Sequence, residues 1–271
     1  MKKQTWLKGA ALVAIAALAL SGCSKKAEAQ EGGSGGGSSR SSVRESPASD
    51  FSYDLTADGQ GILIKNYTGA GGDVVIPSRI EDMPVLEIGR LALAKRAITS
   101  IIIPNTVRKI GYNAFAGTAI TRLDMPDSVT SIGAGDTSGK IFEGCSQLTE
   151  IRFSDNIEYI PNILGAGYNS QNRSLTKINL PKNLKMIGIN AFNYASELTE
   201  IVIPDTLASV EFVNVTGLSS SGEPSKWLKE GDYDMAYVNS RYPVINAFQG
   251  CSKLPLATRQ RLKDLGYNGS F

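Results

Sequence analysis

The apolar positions of this chain follow one line that is written several times. ITSIIIPNTVRKI at 98–110, ITRLDMPDSVTSI at 120–132, LTEIRFSDNIEYI at 148–160, LTKINLPKNLKMI at 175–187 and LTEIVIPDTLASV at 198–210 keep Leu or Ile at the first position and apolar residues at the fourth and sixth. A weaker copy is GGDVVIPSRI followed by LEIG within 71–89. The copies begin at Ile98, Ile120, Leu148, Leu175 and Leu198. A unit of about 23 residues with insertions accounts for their spacing.

Each copy predicts the same elements. Alternation over the fourth to sixth positions, as in Ile101 and Ile103 or Ile201 and Ile203, reads as a short strand, and the β-branched residues suit a pleated surface. Proline follows at Pro77, Pro104, Pro126, Pro181 and Pro204; it cannot donate to a ladder and ends the strand. A second apolar pair comes next, Val107 with Ile110 or Leu184 with Ile187, and then a glycine expected to turn the chain, at Gly89, Gly111, Gly133 and Gly188. Asn113-Ala114-Phe115, Asn190-Ala191-Phe192 and Asn246-Ala247-Phe248 each offer an aromatic to the centre of a coil. So small a unit cannot hide its own apolar face, so the copies must stack and share one core. The unit starting at Leu148 departs most: Ser154 replaces proline, Pro161 replaces the turn glycine, and no clear Ala-Phe follows.

The pattern L-T-x-I-x-I-P-x-x-V-x-x-I-G-x-x-A-F, over about 71–253, resembles the BspA-like, or treponemal-type, leucine-rich repeat of bacterial lipoproteins and surface proteins. The resemblance implies an α+β fold: a right-handed leucine-rich-repeat solenoid with short parallel strands. Residues 51–77 resemble the family's N-terminal cap and 254–271 its closing segment. A solenoid needs such caps, because its core is open at both ends. At the front, Phe51, Tyr53, Leu55, Ile62 and Ile64 alternate around Asp58-Gly59 and predict a hairpin. At the back, Leu256, Leu262 and Leu265 before Gly266 predict a short amphipathic helix, with Arg259, Arg261 and Lys263 facing water. The expected organisation is 51–97 for the cap and first repeat, 98–253 for the repeats and 254–271 for the closing cap.

The first 50 residues stand apart from this pattern. Lys2 and Lys3 precede an apolar run, ALVAIAALAL at 11–20, that ends in Leu20-Ser21-Gly22-Cys23. This resembles a lipoprotein signal peptide, 1–22, with Cys23 as the acylated first residue; the run is short of the roughly 20 residues that span a bilayer. The rest of 23–50, rich in Gly, Ser and charge, reads as a flexible leash with a reach on the order of 30 Å, which holds the fold near a membrane without laying it there. Removing Lys2, Lys3 and Lys8 with the leader turns a formal charge of +2 into −1, a balance that points away from nucleic acid.

Two sets of residues are candidates for binding. The outward positions of the strands place Arg122, Glu150, Lys177 and Glu200 in one row of alternating sign, and set Asp124 against Arg152 in the next. Parallel neighbours lie about 4.8 Å apart, so the rows read first as mutual neutralisation on a solvated sheet and second as a polar recognition face. Insertions at about 134–140, 162–173 and 211–243 fall after the second apolar segment and should emerge on one side. The longest carries Trp227, Tyr233, Tyr237, Arg241 and Tyr242, residue types that dominate interface energetics, although aromatics also seal a flank.

Catalytic chemistry finds little support. The chain has no histidine, which removes the usual general base and metal ligand. Asp232 and Asp234 lack the spacing of a calcium loop, and GAGDTSG at 133–139 lacks the lysine of a phosphate loop. Cys145 and Cys251 occupy equivalent places with two further coils between them, too far for a disulfide, and are expected to be buried thiols. No cofactor, metal or enzymatic activity is expected; a carboxylate-based enzyme is the remote alternative. The resemblance implies a lipid-anchored envelope protein, at the outer membrane or cell surface, that adheres to a protein or extracellular-matrix ligand. A periplasm-facing scaffold without a host ligand is the second reading.

Overall fold

The computed structural model describes residues 44–134, 140–164, 173–213 and 246–271, all within one compact unit, 42–271. Cys23 and the leader lie outside the described residues, as do Trp227, Tyr233, Asp232, Asp234, Tyr237, Arg241 and Tyr242. The unit is a right-handed solenoid. It opens with a hairpin, β1 (Phe51–Leu55) against β2 (Ile62–Tyr67), that turns at Gly59 with φ 69°. Asp58 holds the turn by accepting from Thr56 Oγ1 at 2.6 Å and from Gln60 N at 3.1 Å.

The coils then contribute two strands each. The first strands are β3 (Gly72–Val75), β6 (Ile98–Ile102), β8 (Arg122–Asp124), β10 (Glu150–Arg152), β12 (Lys177–Asn179) and β14 (Glu200–Val202). The second strands are β5 (Met83–Ile88), β7 (Lys109–Gly111), β9 (Ser131–Ala134), β11 (Tyr159–Ile160), β13 (Met186–Gly188) and β15 (Glu211–Val213), with β4 (Arg79–Ile80) pairing antiparallel to β5. All pairings between coils are parallel.

Register carries the core. Leu123, Ile151, Ile178 and Ile201 are successive partners in the sheet β8-β10-β12-β14, Val74 pairs with Ile101 in the sheet of β3 and β6, and all six are buried in one continuous cluster. Ile88, Ile110 and Ile132 form the matching column of second strands, continued by Ile160, Ile187 and Phe212. Rings fill the space between the columns: Phe115 stacks on Phe142 at 5.8 Å, and Phe192 on Phe248 at 5.2 Å. Both cysteines are buried and free; Cys145 Sγ donates to Phe115 O at 3.0 Å and Cys251 Sγ to Phe192 O at 3.3 Å, each reaching the preceding coil.

The third side of each coil is a turn that still bonds to its neighbour, for example Asn113 N to Lys140 O at 2.6 Å and Phe192 N to Ala247 O at 2.8 Å. The coil without Ala-Phe meets the same demand differently. Ile141 N and Phe142 N both donate to Ile163 O at 3.0 Å, and Asn162, Ile163 and Leu164 are buried where Asn-Ala-Phe sits elsewhere. Gly89 and Gly111 serve close approach rather than turning, whereas Gly133, with a φ of 76°, turns the chain as expected. A Cβ on Gly89 would stand 2.7 Å from Ile64 O, and one on Gly111 2.7 Å from Arg90 N. In the other coils the left-handed backbone falls later, at Asn113, Gly117, Gly144, Asn190, Tyr194 and Gly250, and at Leu91 and Lys95 in the first coil.

The ends are closed by dissimilar devices. At the front, Ser46 N donates to Val75 O at 2.8 Å and Ser46 Oγ accepts from Val75 N at 3.1 Å, while Glu45 accepts from Ser78 N, so the incoming chain occupies the outer edge of β3. At the back lies α1 (Leu256–Asp264), which places Leu262 in the core, with Leu265 just beyond it. Two expectations there are corrected. Leu256 is 82% exposed, because it occupies the first turn of α1 on the side away from the core. Arg259 and Arg261 do not simply face water: Arg259 donates to Leu254 O and Ser252 O and lies over the Phe271 ring, and Arg261 donates to Leu207 O. Their guanidinium groups satisfy carbonyls that the ending coil leaves open.

Candidate functional site

The sheet β8-β10-β12-β14 exposes two parallel rows of side chains because a strand alternates its faces and the inward position is always aliphatic. In the first row Glu150 faces Arg122 on one side and Lys177 on the other, and Glu200 faces Lys177. The row does not act as a continuous ladder. It closes into two pairs, Arg122 Nη1 to Glu150 Oε2 at 3.1 Å and Lys177 Nζ to Glu200 Oε1 at 2.9 Å. Such half-exposed pairs stabilise by about 0–1 kcal/mol each.

The second row is richer than the repeat suggested. Arg152 donates to Asp124 Oδ1 at 3.1 Å, Asp127 Oδ1 at 3.3 Å and Met125 O at 3.0 Å. Asp127 Oδ1 also accepts from Asp155 N, and Asp155 pairs with Lys182 at 2.6 Å. The hydrogen bond from Lys182 holds the Asp155 carboxyl below its ordinary range. Asp127, Asp155 and Lys182 were absent from the candidates. The signal was legible, since they occupy the same place in their units, just after Pro126, Ser154 and Pro181, and each is charged.

Beside these rows runs a column of threonines. Thr149, Thr176 and Thr199 each donate a hydroxyl to the carbonyl of the preceding threonine, at 2.8, 3.1 and 3.3 Å, which rigidifies the edge of the face. Asn179 sits between Arg152 and Val202, and its Oδ1 is buried without a partner. Ile102 and Val202, at 48% and 40% exposure, are the apolar residues toward either end of this surface. The arrangement is a rigid platform with its charges largely satisfied internally and fixed hydrogen-bonding groups between them. It offers no nucleophile and base in contact.

The structure therefore brings together Arg122, Glu150, Arg152, Lys177 and Glu200. Among the described residues no group of three His, Cys, Asp or Glu side chains could hold a metal ion, and no helix is long and apolar enough to cross a membrane.

Residues 86–213 match the family described as BspA type leucine rich repeat region, in six copies. Among solved structures, a leucine-rich repeat protein of T. pallidum is 23% identical over 84% of this chain and 99% of its own, with a TM-score of 0.53, which shows the solenoid fold. A leucine-rich repeat protein of Bacteroides ovatus is 20% identical over 60% of this chain and 54% of its own, with a TM-score of 0.40. A leucine rich cell surface protein of Faecalibacterium prausnitzii is 23% identical over 62% of this chain and 45% of its own, with a TM-score of 0.42. Among curated proteins, none matches this chain in sequence.

Proposed function

Residues 86–213 of this chain are a BspA-type leucine-rich-repeat region, and on that premise we propose that it is a lipid-anchored protein of the bacterial envelope that binds a macromolecular partner, by adhesion to host matrix, host cells or other bacteria. The observation that carries the reading is the in-register platform of β8, β10, β12 and β14. A solenoid surface of this kind presents a fixed, extended array of side chains to a partner of comparable size. Trp227, Tyr233, Tyr237, Arg241 and Tyr242 supply a second contact region of hot-spot residue types. Cys23, at the end of Leu20-Ser21-Gly22, supplies the anchor, and no nucleic acid, metal or cofactor is involved. Fold does not fix the ligand, so the partner is stated only as protein or extracellular matrix.

The extensive ion pairing within the platform favours one second reading, an envelope scaffold whose face is built for its own rigidity. Two experiments separate them. Protease applied to intact cells degrades the solenoid if it is displayed outward, and survival until the envelope is opened removes the adhesive role. Capture on immobilised matrix proteins is then compared between the parent, a Glu150→Lys/Lys177→Glu variant, and a chain deleted for 214–243, which leaves β15 whole. Loss in the first variant places binding on the platform, loss in the second on the long insertion, and retention in both overturns the proposed sites.

A further inference from the structure

Ion pairing is spread unevenly over the solenoid. Lys140, Arg152, Lys177, Lys182, Lys185 and Lys253, in the later coils, each lie within 4.0 Å of a carboxylate. The turn of the first coil, Arg90-Leu91-Ala92-Leu93-Ala94-Lys95-Arg96, contains three cations, none of them in an ion pair among the described residues. Arg90 lies over the Tyr112 ring at 5.3 Å, and Arg96 donates to the amide oxygen of Asn66 at 3.1 Å. Both contacts fix a guanidinium group without neutralising it. No acidic residue occurs between Glu87 and Asp124.

The backbone of this turn is built against preference. Leu91 and Lys95 have φ of 58° and 56°, where the neighbouring coil places Asn113 and Gly117, whose side chains tolerate that region. Leu91 N and Lys95 N bond to Tyr112 O and Ala116 O, so the strained geometry is locked by the next coil. The result displays Leu91, 43% exposed, between Arg90 and Lys95. An exposed aliphatic side chain ringed by unpaired cations is the composition of a surface that meets anionic headgroups.

The position of the turn selects the occupant. It belongs to the first coil, the end at which residues 44–46 enter along β3. About 20 residues separate Cys23 from that entry, so an anchor at Cys23 lies nearer along the chain to the first coil than to any later one. We infer that the Arg90–Arg96 turn docks on the anionic phospholipid headgroups of the membrane that anchors the chain, setting the solenoid with its first coil toward the lipid and its later coils away. The inference deepens the anchored reading and rests on it for its cellular meaning.

The test uses the chain from residue 24 onward, which keeps the compact unit whole and carries no acyl group, so that failure of acylation at Cys23 is scored separately by acyl labelling in cells. Co-sedimentation is measured with phosphatidylcholine vesicles, with and without phosphatidylglycerol. Each cation near an anionic surface is worth roughly fivefold in partition, so Arg90→Glu/Lys95→Glu/Arg96→Glu is expected to lower binding to the anionic vesicles on the order of 100-fold. Salt reverses binding of the parent, and Leu91→Ser weakens it severalfold. A neutralised Arg90→Gln/Lys95→Gln/Arg96→Gln chain gives the same ranking if charge reversal perturbs folding. A distal variant, Lys185→Glu/Lys253→Glu/Lys263→Glu, keeps parental binding. Equal binding by the parent and both first-coil triples, or an equal loss in the distal variant, overturns the inference.

Discussion

Phe192 stacks on Phe248 with ring centroids 5.2 Å apart and planes inclined by 16°, although one ring belongs to the copy that begins at Leu175 and the other follows the long insertion. Two residues remote in the chain are thus neighbours in one column, with Tyr267 of the closing segment set edge-on to Phe248 at 5.3 Å. The last coil is bound to the rest through this contact. Phe192→Ala should therefore destabilise the fold by ~3–5 kcal/mol, seen as a lower urea midpoint. A loss below ~1 kcal/mol would mean that the ring column is not continuous.

The platform should behave in the opposite way. Arg152→Ala removes contacts to Asp124, Asp127 and Met125 O, yet the groups are half-exposed, and the expected cost is about 1 kcal/mol or less. Ile178→Ala, one layer beneath, should cost ~2–5 kcal/mol. Chemical denaturation of the two variants checks the contrast.

Lys95→Gly should stabilise the chain by ~0.5–1 kcal/mol, because glycine adopts the positive φ without steric penalty and Gly117 already does so in the next coil. The same variant should bind anionic vesicles less well. Opposite movement of thermal midpoint and vesicle binding is the expected result; movement of both in the same direction would contradict the reading of the turn.

Buried acids make the fold sensitive to alkali. Burial raises the Cys251 thiol to about 12 and the Tyr267 hydroxyl to about 12, and pushes Cys145 and Tyr159 upward as well. The folded state therefore keeps protons that the unfolded chain releases from about pH 9 for cysteine and pH 10 for tyrosine. The stability these groups contribute is complete below those values and declines as pH rises toward about 12. Unfolding followed across pH 8–12 should show this decline, and a thiol reagent at pH 8 should label Cys145 and Cys251 only after unfolding.

How far the sequence could be read follows from what the repeat encodes. The columns through Ile151 and Ile187 were legible because an aliphatic residue at a fixed interval has one structural use. The coil of Asn162-Ile163-Leu164 was not, since Leu164 fills the place of phenylalanine by volume and leaves no aromatic to recognise. Gly89 and Gly111 were visible as repeat positions, but spacing alone does not distinguish a turn from a close approach. On the platform, Arg122, Glu150, Lys177 and Glu200 could be placed in a row. The choice of Arg122 for Glu150 and of Lys177 for Glu200 depends on side-chain reach, which no pattern contains. The cations of the first turn escaped notice because each is ordinary alone, and only the pairing of the other coils sets them apart.

Ser46 and Glu45 fasten the entering chain along β3, and Pro255 begins a helix where another strand would follow. A coil added outside β3 would have to displace Glu45 and Ser46, and one added after the last coil would have to displace α1. A duplicated coil spliced between existing ones would find matching neighbours above and below, so the middle of the solenoid is the place where it tolerates an extra turn.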